Sequence, residues 1–269
     1  MNKLANKFLA LFAIAILISC DKNENSTENN VNNITYKAKW LVEENGDFKS
    51  FEFNESGSYI VVKNAPEGSG ESEIVRFGNY ATADNKVLNL SNFGILKIKN
   101  TTANRMSFSI ATLDDPDTEI SLTAQRQAEI ANSTNTDLLC RTWELVTTNG
   151  EPVIGTDMEL TVLFSNASTY FVTYLNPTDE NDGGLAQWVW TDSNEDSICY
   201  SWDGTLPTCN IGNTVEITSL SENSLTIVEN SDITDITYVL QPLISGKTAN
   251  TQAIKTNSKL HLKKGIFKK

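Results

Sequence analysis

The feature that most constrains the fold of this chain is an internal repeat with a period of roughly 110 residues. One copy opens at Trp40 and the other at Trp143, and each opening tryptophan is followed by Leu-Val and then by Asn-Gly. A strand-like run and a turn come next, at 51–59 and at 162–170. Three later pairs of segments match in the same order: 80–84 with 188–192, 104–108 with 223–227, and 120–126 with 236–240. We therefore predict one fold used twice.

The first copy contains short apolar runs with alternating polarity, separated by Gly, Asn and Asp at intervals of about 8 to 12 residues. These runs lie near 37–44, 48–54, 58–63, 72–82, 87–90, 94–99, 105–112 and 118–125. Eight short strands without a long amphipathic helix predict an antiparallel meander. A meander removes its exposed edges by closing into a barrel or folding into a sandwich. The first of these alternatives would give each copy a small barrel around its own core.

Four motifs of the repeat resemble the lipocalin-like domains of bacterial lipoproteins. They are the Trp opening with Leu-Val, a Phe-x-x-x-Gly-x-Tyr hairpin, a Gly-x-Trp/Tyr strand and an Asn-x-Leu-x-Ile strand. The resemblance covers about 34–126 and 137–243, and it implies calycin barrels, which often hold a small apolar ligand. With this resemblance, we expect an all-β chain with two tandem small antiparallel β-barrels. The second copy departs from the pattern where 166–168 replace the glycine turn and at the insert 176–184.

These boundaries divide the chain into six segments. They are a signal peptide at 1–19, an acidic disordered tether at 20–33, a first lipocalin-like domain at 34–126, a linker at 127–136, a second lipocalin-like domain at 137–243, and a basic segment at 244–269 that we expect to be disordered.

The N-terminal region resembles a bacterial lipobox. Lys3 and Lys7 precede the apolar run 8–18, and Ser19 then stands directly before Cys20. A bilayer-spanning helix needs about 20 apolar residues, so this shorter run fits a secretory signal better. The resemblance implies cleavage before Cys20 and acylation of its thiol and new N-terminus, palmitate included. The alternative is an ordinary cleaved signal peptide with an incidental cysteine.

A lipid anchor at Cys20 places the expected protein on a membrane of the Gram-negative envelope, as an outer membrane lipoprotein. Residues 21–30 are polar and acidic, which favours a disordered tether because such a segment buries too little apolar surface to fold. Asp21 and Glu24 resemble the export signal of surface-exposed lipoproteins in some lineages. Surface-exposed and periplasm-facing orientations both stay open.

Charge is distributed very unevenly along the chain. All 34 acidic residues lie between Asp21 and Asp235, whereas the last 23 residues, 247–269, carry seven lysines and no acid. An acidic body argues against nucleic acid as a partner and against lying flat on an anionic membrane. The lysines of the basic segment are expected to meet either anionic lipid headgroups or the acidic body itself. The oligomeric state is not predicted.

Three cysteines remain if Cys20 is lipidated. Cys199 and Cys209 flank a turn and are candidates for a disulfide in an oxidising compartment, which leaves Cys140 as a buried thiol. The chain has no CxxC motif, and its single histidine, His261, lies in the basic segment. We therefore expect no metal site and no cofactor.

Catalytic machinery is hard to assemble from these residues. Without histidine in the predicted barrels, a Ser-His or Cys-His nucleophile is not available. The GxSxG, Walker A, GxGxxG and HExxH patterns are absent from the sequence. Abundant carboxylates are interpreted as a solvated acidic coat. We predict no catalytic residues, with a hydrolase kept as the least favoured class.

An aromatic cluster in the second copy is the best candidate for ligand binding. Trp188 and Trp190 are two residues apart, as are Tyr200 and Trp202, so each pair shares one face of a strand. In a hairpin the four rings would make one surface suited to a sugar. The competing interpretation is that Trp188, like Tyr80 in the first copy, fills the barrel.

Two functions follow from these observations. The favoured one is an envelope protein that binds a small apolar ligand without catalysis, or has an accessory role in the envelope. The alternative is a surface glycan-binding or adhesive module that uses the aromatic cluster. Hollow barrels open at one end would favour the first function, and filled barrels with exposed aromatic rings would favour the second.

The opening tryptophans are predicted to be structural core. Trp40→Ala and Trp143→Ala are each expected to lower the free energy of unfolding by ~3–5 kcal/mol, because each substitution removes a large buried ring. Urea denaturation followed by far-UV circular dichroism measures the change. Unfolding midpoints that stay at the wild-type value in both variants would contradict the assignment to the core.

Overall fold

The structure is a computed structural model that describes residues 35–43, 46–68, 73–84, 86–176, 183–230, 234–243 and 266–267. Residues 34–269 belong to one compact unit that contains every described residue. The signal peptide, Cys20 and the tether 20–33 lie outside the described residues, as does most of the basic segment.

Barrel 1 is a closed antiparallel sheet in which each strand pairs with the next along the chain. Its strands are β1 (Lys39–Val42), β2 (Phe48–Phe53), β3 (Ser58–Asn64), β4 (Glu73–Asp84), β5 (Val87–Leu90), β6 (Gly94–Thr101), β7 (Arg105–Thr112) and β8 (Asp115–Arg126). The first strand closes the barrel by pairing with the last, so that Trp40 lies opposite Phe51 on β2 and Arg126 on β8.

Barrel 2 follows a short helix, α1 (Thr134–Leu139), which spans the expected boundary between linker and second domain. Its strands are β9 (Thr142–Thr148), β10 (Glu151–Pro152), β11 (Leu160–Phe164), β12 (Thr169–Tyr174), β13 (Gly183–Trp190), β14 (Ser197–Ser201), β15 (Thr214–Leu220), β16 (Leu225–Glu229) and β17 (Ile236–Pro242). Pairing of β9 with β17 closes eight of them, and β10 pairs with β9 alone. A 3-10 turn at Ile211–Asn213 precedes β15.

Among the described residues, no helix is long and apolar enough to cross a bilayer.

The predicted fold class, all-β with two tandem antiparallel barrels, is confirmed. All eight runs predicted in the first copy are strands. Strand β6 shows the physical reason, because its buried Gly94, Leu96 and Ile98 alternate with exposed Lys97 and Lys99. Successive side chains of a strand point to opposite faces, so alternating polarity separates core from solvent.

The opening tryptophans occupy equivalent places in the two barrels. The Trp40 indole donates a hydrogen bond to the backbone carbonyl of Tyr36 (2.6 Å), and the Trp143 indole donates to that of Leu139 (2.9 Å). Both acceptors lie four residues before the ring, and both rings are fully buried. Each ring thus fixes the segment that leads into its barrel.

The hairpin turn that follows β2 in barrel 1 is repeated after β11 in barrel 2, although the turn residues differ. Gly57 has φ +83° and Ser168 has φ +64°, so the serine adopts the left-handed conformation that glycine favours. The backbone N–H of Tyr80 donates to the carbonyl of Gly57 (2.8 Å), and that of Trp188 donates to the carbonyl of Ser168 (2.9 Å). The tertiary structure therefore keeps the turn where the sequence departs from the glycine motif.

Tyr80 and Trp188 correspond in their side chains as well. The Tyr80 hydroxyl donates to the carbonyl of Asn54 (3.0 Å), and the Trp188 indole donates to the carbonyl of Ser165 (3.2 Å). In each copy, a ring on the fourth long strand thus satisfies a carbonyl at the start of the hairpin turn. The match between segments 80–84 and 188–192 has a structural basis in these contacts.

The outer faces of the two barrels share a small apolar core. Phe77 of β4 and Phe171 of β12 meet edge to face, with ring centroids 5.0 Å apart. The cluster combines residues from both barrels: Ile60, Val75, Phe77, Leu163, Phe171 and Leu185. Burial of this surface makes the described barrels neighbours in one packed unit.

A buried polar link crosses the same interface. The Lys39 ammonium donates to the Thr169 hydroxyl (3.1 Å), which donates in turn to a carboxylate oxygen of Glu52 (2.6 Å). All three residues are buried. Because unpaired polar groups are costly to bury, the threonine of barrel 2 satisfies two side chains of barrel 1.

Thr169→Val keeps the shape of the side chain but removes the hydroxyl that joins Lys39 to Glu52. We expect the free energy of unfolding to fall by about 1–3 kcal/mol, because buried polar groups lose their partner. Thr218→Val, at an exposed position of β15, is the matched control, with an expected change within about 0.5 kcal/mol. Urea denaturation measures both variants, and equal midpoints would contradict the role of the link.

Candidate functional site

The interior of barrel 1 is filled by side chains of its own strands and turns. Phe51 packs edge to face on Phe108 (ring centroids 5.0 Å apart), and Phe48 packs on Phe51 (5.3 Å). The largest fully buried side chains of this barrel are Trp40, Phe48, Phe51, Phe53, Tyr59 and Phe108. The candidate site therefore lies in barrel 2.

The four rings of the predicted aromatic cluster all pack against the core of barrel 2. Trp188 lies opposite Tyr200 across the β13–β14 pair, and both rings are buried. Trp190 and Trp202 are half-buried, and the Trp190 indole donates to the Thr136 hydroxyl of α1 (2.9 Å). The rings thus share the inner face of the hairpin rather than an external surface.

The rings belong to a continuous aromatic column inside barrel 2. Trp190 meets Trp188 edge to face (ring centroids 5.4 Å apart), and Trp188 meets Phe164 in the same way (5.6 Å). Phe164 then stacks on Tyr170 at 5.2 Å, and Tyr170 stacks on Phe267 at 5.1 Å. Both interplanar angles in the stacked part are below 25°. The last ring of the column does not come from a strand.

Ile266 and Phe267 lie inside barrel 2, although both belong to the basic segment that was expected to be disordered. They are 3% and 2% exposed, so these two residues depart from that expectation. The Phe267 ring lies 5.0 Å from the Tyr200 ring and 6.1 Å from the Tyr238 ring, measured between centroids. We call the site around this pair the aromatic chamber; its walls are Tyr170, Tyr200, Trp202, Glu229 and Tyr238.

Two chamber hydroxyls bind the main chain of Ile266. Its backbone N–H donates to the Tyr170 hydroxyl (3.3 Å), and its carbonyl accepts from the Tyr238 hydroxyl (2.7 Å). Tyr238 also lies within donating distance of a Glu229 carboxylate oxygen (2.9 Å). A phenol has one proton, so Tyr238 donates either to the carboxylate or to the carbonyl at any moment.

Burial keeps the chamber phenols neutral. Burial raises the pKa of Tyr200 to about 12, with a further contribution from the Glu229 carboxylate. Burial also raises the pKa of Tyr170 and of Tyr238, and the latter is raised further by Glu229. The three hydroxyls are therefore hydrogen-bond donors and acceptors, not anions, across the physiological pH range.

In barrel 1, the position that corresponds to Phe267 is occupied by a phenylalanine from one of the barrel's own turns. Tyr59 and Tyr170 occupy matching places in the repeat, and each carries a phenylalanine on its ring. On Tyr59 that residue is Phe93, with ring centroids 6.2 Å apart, in the short turn between β5 and β6. On Tyr170 it is Phe267, which the sequence separates from β17 by more than 20 residues. Among the residues that the structure describes, barrel 2 is thus the one whose interior includes a residue remote from its strands.

A disulfide joins Cys199 to Cys209, with an S–S distance of 2.01 Å. The bridge closes the loop that carries Trp202 at the rim of the chamber. The Trp202 ring lies 5.4 Å from the Tyr170 ring and 6.0 Å from the Tyr200 ring, measured between centroids. The covalent link restricts the conformations of this loop and thus helps to position Trp202.

Other reactive side chains stay apart in the described parts of the chain. Burial, with a contribution from Asp137, raises the pKa of the partly buried Cys140 thiol to about 12, so its thiolate is scarce at neutral pH. Glu195 accepts a hydrogen bond from Ser133, and Asp192 accepts one from the backbone N–H of Asn194. Within the described ranges, no three His, Cys, Asp or Glu residues form a group that would hold a metal ion.

Of the four rings that the sequence marks, Tyr200 and Trp202 are walls of the chamber, whereas Trp188 and Trp190 lie elsewhere in the column. The remaining walls were missed. Tyr170 and Tyr238 followed the strand pattern and were indistinguishable from core residues. The available signal was the apolar pair 266–267, which interrupts a run of lysines. Such a pair is out of place in a disordered basic segment, and it indicates a buried contact.

The architecture is compatible with a tandem lipocalin-like fold, since it consists of two closed eight-stranded antiparallel barrels. Comparison of the sequence with protein-family models and with curated proteins finds no match. The assignment of function therefore depends on the geometry of the chamber.

Removal of the Phe267 ring is expected to shift the titration of the chamber phenols. In Phe267→Ala, water reaches Tyr200 and its neighbours, so their pKa values move down towards 10 and more phenolate forms between pH 10 and 12. Absorbance at 295 nm measures the phenolate, with circular dichroism as the check on folding. Phe267→Leu, which keeps an apolar side chain, is the matched control. Superimposable curves for wild type and Phe267→Ala would contradict burial by this ring.

Proposed function

We propose that this chain is a lipid-anchored binding protein of the Gram-negative envelope that takes an aromatic, largely apolar ligand into the chamber of barrel 2. The anchor would be Cys20, and the outer membrane would be its location, on the basis of the lipobox resemblance. The protein binds without catalysis in this proposal.

The observation that carries the proposal is the occupied aromatic chamber. Ligand sites in proteins are concave and apolar, with a few polar groups that orient the ligand. The chamber has flat rings on several sides, and two hydroxyls and one carboxylate reach its interior. Its present occupant is a phenylalanine side chain, so a ring of that size fits.

The barrel architecture supports the same function. Closed eight-stranded barrels hold one small ligand when their own side chains do not fill the interior. The described core of barrel 1 consists of residues from its own strands, turns and lead-in segment, such as Trp40, Phe51 and Phe93, whereas the core of barrel 2 also includes Phe267 from outside its strands. Together with the sequence motifs, this favours a lipocalin-like protein with one binding barrel and one supporting barrel.

The glycan-binding alternative has less support from the geometry. It needs the four rings at 188, 190, 200 and 202 on one accessible surface. Trp188 and Tyr200 are buried, and the Trp190 indole is bonded to Thr136. Trp202 is thus the main ring of this set at the rim of the chamber.

Binding of a neutral aromatic hydrocarbon tests the proposal. Equilibrium dialysis with 2-methylnaphthalene is performed on the full wild-type chain and on Phe267→Ala. The variant is expected to bind the probe at least about tenfold more tightly, because the wild-type ring competes for the same space.

Two further variants control this experiment. Tyr170→Ala in the Phe267→Ala chain should weaken binding, because it removes the wall on which the ring stacks. Leu113→Ala, at an exposed position in the turn between β7 and β8, should leave binding unchanged. Failure of the probe to bind any of these folded chains would refute the proposed function.

A further inference from the structure

We infer that the aromatic chamber is a peptide-binding site, which recognises an apolar residue followed by an aromatic residue in a basic polypeptide segment of a partner protein. The inference rests on the proposed function and names the ligand class of the same site. In the structure, the pair Ile266–Phe267 of the chain itself occupies the place of that ligand.

The first argument is that the chamber binds a main chain and not only a ring. The Tyr170 hydroxyl accepts from the N–H of Ile266, and the Tyr238 hydroxyl lies at donating distance from its carbonyl. The two hydroxyls thus satisfy both polar groups of one peptide residue. A hydrocarbon or a lipid tail offers neither group, so it would leave the buried Tyr170 hydroxyl without the N–H that it accepts from Ile266.

The second argument concerns the two side chains of the ligand. The Phe267 ring stacks on Tyr170 (20° between planes) and lies close to Tyr200. Ile266 is buried beside it in the same apolar cluster. Stacked aromatic pairs add about 0.5–1.5 kcal/mol beyond area burial, so an aromatic residue is favoured at this position.

The third argument is charge. Lysines flank the buried pair in the sequence, at 263, 264, 268 and 269, whereas every acidic residue of the chain lies at or before Asp235. An acidic protein attracts a basic segment and increases its rate of encounter. A partner segment with the same arrangement of charge would gain the same attraction.

The fourth argument is that the resident pair is separable from the barrel. No strand pairing of barrel 2 includes Ile266 or Phe267. Their departure therefore breaks no sheet hydrogen bond, and it frees the Tyr238 hydroxyl to donate to Glu229 instead. Among the described residues, the pair is held by its ring contacts and by its hydrogen bonds to Tyr170 and Tyr238, so exchange for an external segment requires the loss of these contacts.

A labelled peptide tests the inference directly. A fluorescein-labelled heptapeptide of residues 263–269 is titrated into the full wild-type chain and the full Phe267→Ala chain, with anisotropy as the readout. We expect the variant to bind at least about tenfold more tightly, because its chamber is not occupied by a ring. A second heptapeptide, N-methylated at the isoleucine, should bind the variant about 5–10-fold more weakly, since it lacks the N–H that Tyr170 accepts.

A double-mutant cycle identifies the hydroxyl. Tyr170→Phe in the Phe267→Ala chain should weaken the unmethylated peptide by the same factor and should not weaken the methylated peptide further. Tyr59→Phe is the matched control in barrel 1, where the hydroxyl donates to the carbonyl of Ser91, and it should leave both affinities unchanged.

An experiment on the wild-type chain avoids any loss of stability in the variants. Excess unlabelled heptapeptide added to ¹⁵N-labelled protein should shift the amide resonances of Ile266 and Phe267, because the resident pair is displaced. Unshifted resonances under saturating peptide would count against exchange of the segment.

The outcomes separate the two proposals. If 2-methylnaphthalene binds Phe267→Ala but the heptapeptide does not, the peptide inference is overturned and the proposed function stands. If the peptide binds with equal affinity whether or not it is methylated, recognition of the main chain is overturned. If neither probe nor peptide binds, both proposals fail.

Discussion

The structure depends on the pairing of the first strand of each barrel with its last. An antiparallel meander that stays open exposes two edges, and closure through β1–β8 and β9–β17 removes them. Trp40 and Trp143 stand on these closing strands, fully buried, and each indole bonds the carbonyl four residues before it. The ring therefore couples barrel closure to the placement of the incoming chain.

Strand β12 connects the interface between the two barrels with the aromatic chamber. Its side chains alternate between two faces, so Thr169 and Phe171 contact barrel 1 while Tyr170 points into barrel 2. The polar link through Thr169 and the ring contact of Phe171 hold the strand from outside. Barrel 1 thus acts as a support that fixes the position of the Tyr170 ring and hydroxyl.

The two barrels differ in the origin of the phenylalanine that packs on the matching tyrosine, Tyr59 or Tyr170. Phe93 belongs to a tight turn of barrel 1, where Gly94, with φ +157°, lies so close to Ala111 that a Cβ would overlap its carbonyl oxygen. The corresponding connection in barrel 2 is longer, contains the disulfide and supplies Trp202 at the rim. In barrel 2, Phe267 packs on Tyr170, as Phe93 packs on Tyr59 in barrel 1. The repeated fold thus has one interior completed by a residue of its own turn and one completed by Phe267.

Local patterns in the sequence determined the strands and the repeat, and they predicted the burial of Trp40 and Trp143, whereas closure into a barrel rather than a sandwich was decided by pairing of the first strand with the last. Alternating polarity and turn residues act over a few neighbours, so they are readable without coordinates. The left-handed Ser168 and the aromatic chamber were not readable, because both result from contacts between residues distant in the chain. Burial of Ile266 and Phe267 is the clearest case, since their neighbours in sequence are lysines and their neighbours in space are tyrosines. The burial of this apolar pair depends on the tertiary structure, because the closed barrel 2 provides the apolar interior that the basic segment itself lacks.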